Sequence, residues 1–275
     1  MAEGWWRKAE LWGARTADTL RRMNSFLLIS GAGFLAGVMN ALAGGGSFVS
    51  LPALVAVGVP SVQANASSTV ALLPGAAVSA WAYRDGLGPV GEASLKSLLI
   101  VTLLGSAVGA LLLLWTPTRV FDFVLPWLLL LAILALTFGR RLGEALRRRW
   151  RIRPSAVLGV QFGLGIYSGY FGGAVGIMMM AVWGLLDNRE LKTLNAPRTL
   201  LVTLANCLAA AAFATAGAVH WPETIIMLAA SAAGGYCGAQ VGRRAPSHIV
   251  RAGTLTLTAG ITLAFFVRSY LGTGY

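Results

Sequence analysis

Residues 43–52 read AGGGSFVSLP, inside an apolar run that would otherwise pass for one long membrane helix. Glycine in a helix interior costs about 1 kcal/mol relative to alanine, so Gly44, Gly45 and Gly46 in succession read as a break. The short helix after the break then begins inside the membrane, with free N–H groups and the positive end of its dipole turned toward whatever sits there. Backbone of that kind is tolerated at membrane depth only against protein or a water-filled cavity. Ser47 is the expected cap of this short helix. The competing reading is that the glycines only allow helices to pack closely.

The rest of the chain sets the class. Of 275 residues, 56% are hydrophobic and 12% charged, with a mean hydropathy of +0.70, against about 25% charged in an average soluble domain. Apolar segments fall near 25–43, 47–58, 64–83, 95–115, 119–138, 155–172, 174–186, 195–216, 222–242 and 248–270. The longer ones match the roughly 20 residues a helix needs to cross a hydrocarbon core, and none alternates like a barrel strand. The chain reads as an all-α polytopic membrane protein.

Several classes fall away. Cys207 and Cys237 show no ligand spacing, and His220 and His248 are too few to build a metal centre. The net charge of +12 lies beside the apolar segments, where positive-inside anchoring explains it without nucleic acid. No metalloprotease, dinucleotide or Ser/His/Asp pattern occurs, and no histidine lies within an apolar segment to activate Ser47. The tail WWRKAELWGARTADTLRRMN, residues 5–24, suits a helix lying in the headgroup region, with a frayed tail as the alternative.

The chain repeats itself. Gly31-x-x-Phe34-x-x-Gly37 recurs as Gly159-x-x-Phe162-x-x-Gly165, Gly44-Gly45 as Gly172-Gly173, Asn65-Ala66-x-x-Thr69 as Asn195-Ala196-x-x-Thr199, and Gly109-Ala110 as Gly238-Ala239. The offsets stay between 128 and 131 residues. This divides the chain into an amphipathic tail (1–24), a first repeat (25–139), a basic cytoplasmic linker (140–154) and a second repeat (155–271). Each repeat opens with a glycine-broken helix pair, and two such halves are the usual construction of a secondary transporter. The second break offers Gly172, Gly173 and Gly176 but no hydroxyl, and Ala174 stands where the first has Gly46.

Basic residues weigh equally for inverted and parallel halves. Inverted halves are the expectation, because two facing breaks then build a central site directly.

GFLAGVMNALAGGGSFVSLPALVAVGVPSVQANASSTVALLPG, with SGYFGGAVGIMMMAVWGLL and NAPRTLLVTLANCLAAAAF later, resembles the TauE/SafE family of membrane permeases from about Ser25 to Tyr270. The resemblance implies a plasma (inner) membrane exporter or permease for sulfite, sulfoacetate or related organosulfur anions. Arg198 stands where one branch of that family carries lysine. Its planar fork matches sulfonate or carboxylate oxygens, whereas lysine is a point charge.

The inventory of polar residues also favours an anion. Asp122 is the one acidic residue well inside an apolar segment, with Asp187 and Glu223 at segment edges, and proton or sodium pathways usually need buried carboxylates. Candidate ligands cluster instead at the third segment of each half: Asn65, Ser68 and Thr69 in one, Asn195, Arg198, Thr199 and Asn206 in the other. With Gly44, Gly45, Gly46, Ser47, Gly172 and Gly173 they form the expected substrate site. The hydroxyls could instead satisfy their own helix backbone, and Arg198 could be an interfacial anchor. The expected partners are a small anionic substrate and the lipid bilayer, with no cofactor; an anion channel for a small carboxylate or other oxyanion uses the same residues. The pattern is compatible with one chain or a homodimer.

Overall fold

The computed structural model describes residues 2–149, 154–173, 175–183, 194–242 and 247–271. Residues 150–153 of the basic linker, Ala174 and Asp187 lie outside them. The helices are α1 (Ala2–Ala43), α2 (Ser47–Ala56), α3 (Ser61–Ala71), α4 (Leu73–Ala82), α5 (Leu95–Trp115), α6 (Thr118–Arg149), α7 (Pro154–Tyr170), α8 (Val175–Trp183), α9 (Asn195–Thr215), α10 (Trp221–Gly242) and α11 (Ser247–Phe266). Among the described residues the only β feature is one isolated bridge, Val90 to Ala93. Four helices among the described residues are long and apolar enough to cross a membrane, over Arg22–Leu42, Leu95–Trp115, Thr118–Ala135 and Asn195–Thr215.

Local chemistry sets the ends. Pro60, Pro117 and Pro154 stand at or just before helix starts, where a missing N–H costs nothing and the fixed φ suits the first turn. Ser94 begins α5 by accepting the Ser97 N–H at 3.1 Å. Gly44 and Gly172 end α1 and α7, each at φ +74°, a left-handed conformation that a side chain makes costly.

The tail does not form a separate element. It continues into the first apolar run as α1, a helix of 42 residues. At 1.5 Å per residue that is about 63 Å, roughly twice the hydrocarbon thickness.

The third apolar segment, expected whole over 64–83, is two helices. Pro74 lies in the first turn of α4 and has no N–H to return to the carbonyl of Val70, and the chain breaks at Leu72. Asn65 to Thr69 therefore lie inside the short helix α3, which starts earlier at Ser61. Its counterpart α9 runs unbroken for 21 residues.

The two halves hold each other reciprocally. α1 lies along α10, and α7 lies along α5, so one contact is made twice with the halves exchanged. Glycines make the approach close. A Cβ at Gly238 would stand 2.7 Å from Val38 Cα, and one at Gly109 would overlap the backbone of Ile166. Gly109 and Gly238 are repeat partners, and Val38 precedes Ile166 by the 128 residues of the repeat. Between apolar helices in lipid, small residues of this kind supply the packing that a hydrophobic drive cannot.

Candidate functional site

A cavity of about 240 Å³ opens where the two glycine turns meet α3, α4 and α9. Its wall is built from repeat-related positions: Gly44 with Gly172, Ser47 with Val175, Thr69 with Thr199, Leu72 with Val202, and Ala76 with Asn206. Asn40, Ser79, Tyr83, Gly176, Asn195, Arg198 and Thr203 add to it. The cavity thus lies on the seam between the halves, and each half supplies one wall.

The symmetry is broken by charge. Arg198 is the only ionised side chain in the described wall, and no carboxylate joins it there. Its side chain runs past Gly176, where a Cβ would touch Arg198 Cδ at 3.5 Å and Nε at 3.8 Å, ordinary contact distances. The repeat partner of Arg198 is Ser68, which is buried and bonds Ser50 Oγ at 2.5 Å. One end of a nearly symmetric chamber therefore carries a planar cation with several donors, and the other carries neutral groups.

At the first turn, the Phe48 N–H bonds the Gly45 carbonyl at 3.1 Å, and those of Val49 and Ser50 bond the Gly46 carbonyl at 3.0 and 3.1 Å. Gly46 occupies the cap position of α2 with helical dihedrals, φ −57° and ψ −33°, and no side chain caps the helix. The expectation that Ser47 is the cap is corrected. Because Gly46 is already helical, Ser47 falls within the first turn and lines the cavity instead.

Eight of the thirteen expected site residues share this wall: Gly44, Ser47, Thr69, Gly172, Asn195, Arg198, Thr199 and Asn206. Five stand outside it. Gly45 is buried in the turn, and Gly46 is pressed on α1, where a Cβ would meet the Ala36 carbonyl at 2.5 Å. Gly173 packs on the Phe171 ring. Asn65 is buried below the wall, its Nδ2 donating to the Tyr170 carbonyl at 2.9 Å, and Ser68 is held by Ser50.

Asn40, Ser79, Tyr83 and Thr203 are additions that the sequence reading missed. Asn40 carried a signal, an amide within an apolar run. Ser79 and Thr203 carried none, since hydroxyls in membrane helices commonly bond a backbone carbonyl. Ser79 bonds that of Gly75 at 2.9 Å, and Thr203 reaches across the seam to that of Ala76 at 3.0 Å.

Comparison with known proteins agrees with a transport role. The family model described as sulfite exporter TauE/SafE matches residues 29–265. A probable membrane transporter protein of Haemophilus influenzae is 30% identical over 209 residues, 76% of this chain and 82% of that protein. The probable membrane transporter protein YfcA of Escherichia coli is 30% identical over 216 residues, 76% of each chain. The probable membrane transporter protein ORF9 of a Sinorhizobium species is 30% identical over 233 residues, 82% of this chain and 84% of that one. No solved structure gives a significant match.

Proposed function

The chain belongs to the sulfite exporter TauE/SafE family, and from that premise we propose that it is a permease for a small sulfur oxyanion, sulfite or an organic sulfonate such as sulfoacetate. The observation that carries this reading is the cavity on the seam, with Arg198 and no carboxylate in its described wall. A guanidinium fork donates two parallel hydrogen bonds to a sulfonate or sulfite, and such charge-assisted bonds are about twice as strong as neutral ones. The negative charge then faces neutral groups, Asn206 and Ser47, the latter in the first turn of α2. Helix N-termini favour anions by the same dipole.

In this reading the two halves are inverted repeats, each opened by a glycine-broken helix pair, and the protein sits in the inner membrane. The reciprocal packing of α1 on α10 and α7 on α5 supports a two-fold relation between them. Rocking one half against the other would expose the cavity to each side in turn.

Purified protein reconstituted into liposomes and offered sulfite, sulfoacetate, taurine, sulfate and acetate tests the function. The expected result is saturable flux of sulfite or sulfoacetate with counter-flow. Linear, non-saturating flux would mark a channel, and flux of acetate alone would reject the sulfur-anion class.

A further inference from the structure

Four hydroxyls of the seam cavity give their protons to backbone carbonyls. Thr69 donates to that of Asn65 at 2.9 Å, Ser79 to that of Gly75 at 2.9 Å, Thr199 to that of Asn195 at 2.6 Å, and Thr203 to that of Ala76 at 3.0 Å. All four residues line the cavity. A hydroxyl has one proton and two lone pairs, so each of the four keeps acceptor capacity alone. Asn206 adds Oδ1, which accepts one long bond, 3.4 Å, from Ser168 Oγ. Thr69 Oγ1 and Asn206 Oδ1 both lie against Gly172, in ordinary contact at 3.6 and 3.7 Å from where its Cβ would stand, whereas the Arg198 side chain passes Gly176. The wall therefore holds a cationic donor at one place and a group of uncharged acceptors at another.

Those acceptors discriminate among anions that Arg198 alone would take equally. A ligand made of acceptors throughout engages Arg198 and then sets its remaining oxygens against lone pairs. A carboxylate at the far end, as in sulfoacetate, brings a second negative charge where the described wall has no second cation. An ammonium there would donate, but it adds a positive charge to a wall that holds Arg198 and, among the described residues, no carboxylate. Burying a charge without a counter-ion is costly. A hydroxyl donates without charge. The cavity of about 240 Å³ has the volume of on the order of eight waters at about 30 Å³ each, which leaves room for a short carbon chain behind a sulfonate.

We propose that the preferred substrate is a short hydroxyalkanesulfonate, with its sulfonate on Arg198 and its hydroxyl donating to the acceptors around Thr69. This names the substrate class within the sulfur-anion reading above and rests on that reading. Thr69 is then a specificity-determining residue, whose lone pairs tell a hydroxyl from a methyl. Such discrimination comes as much from an acceptor left unpaired by the wrong ligand as from the bond made with the right one.

Isothermal titration of purified protein with 2-hydroxyethanesulfonate and with propane-1-sulfonate, which puts a methyl in place of the hydroxyl, tests the proposal. The wild type should bind the hydroxy compound at least about fivefold more tightly, the scale of one net hydrogen bond. Thr69→Val should bring the two affinities within about twofold of each other, and Thr69→Ser should keep the preference. Equal binding of the two ligands by the wild type, or tighter binding of propane-1-sulfonate, would overturn the proposal without any variant having to fold. A preference that survives in folded Thr69→Val would overturn it too, because another group would then be reading the hydroxyl. Sulfoacetate and 2-aminoethanesulfonate should both bind more weakly than the hydroxy compound, and tighter binding by either would reject an uncharged donor. Arg198→Ala separates the two readings. If it weakens both sulfonates while the wild type shows no hydroxyl preference, this inference alone fails. If sulfonates bind wild type and folded Arg198→Ala equally, or bind neither, the anion reading fails and takes the inference with it.

Discussion

Thr69 and Thr199 occupy equivalent places in the two halves, face one cavity, and each donates its hydroxyl to the carbonyl of an asparagine one turn earlier, Asn65 at 2.9 Å and Asn195 at 2.6 Å. With their protons committed, both hydroxyls turn lone pairs to the cavity. They are acceptors there, and an anion gains nothing from an acceptor. Donation falls to Arg198, to amide N–H groups and to hydroxyls such as Tyr83.

Thr199→Val should therefore leave sulfoacetate or sulfite affinity within about a factor of five, the scale of one net hydrogen bond. Titration of the purified variant checks this. A loss of a hundredfold would mean that the hydroxyl turns and donates to the anion.

Ser47→Ala should leave thermal stability unchanged, within about 0.5 kcal/mol, because no side-chain cap is lost from α2. A true cap would cost about 1 kcal/mol or more. Thermal unfolding in detergent, followed by tryptophan fluorescence, distinguishes the two.

Gly234→Ala should sharply reduce the yield of folded protein, because a Cβ there overlaps the Phe34 backbone of α1. Overpacking a tight contact costs about 1–3 kcal/mol, and more where backbone must move. Gly159→Ala, with nothing within 4 Å, is the control and should be mild. Size-exclusion profiles of the two variants give the answer, and equal profiles would refute the close-packing account of the seam.

Single cysteines at Gly88 and Ala216, in a background lacking Cys207 and Cys237, should label from opposite sides of the membrane. Both sites lie in loops that follow the third segment of their half. Ala216 is exposed and free of the left-handed strain at Gly217, φ +69°. Labelling of both from one side would contradict inverted halves.

How much of this was legible follows from where each signal resides. Helices show in the apolar runs because a membrane helix must satisfy its own backbone, although α1 and α6 continue beyond their runs. The seam shows in the repeat, since Gly109 and Gly238 make the same contact. The break at Leu72 was also written in the chain, at Pro74, but an apolar run hides a proline that does not change its hydropathy. The fate of hydroxyls was not legible. Ser68 and Thr69 are neighbours in sequence, yet one is held by Ser50 and the other faces the cavity. Rotation about the short helix α3 decides that, and only packing sets the rotation. Ser47 was misread as a cap because cap preference concerns residue type, whereas the helix start depends on the dihedrals of Gly46.

The central claim is that an anion binds in the seam cavity against Arg198. Isothermal titration of sulfoacetate and sulfite into purified wild type, Arg198→Ala and Arg198→Lys, each shown to be folded by thermal unfolding, tests it most directly. Removing a charged hydrogen-bond donor costs about 1.5–3 kcal/mol, so the alanine variant should bind at least about tenfold more weakly. Lysine should recover part of the loss, as a point charge without the fork. Wild-type affinity in a folded Arg198→Ala protein would contradict the account.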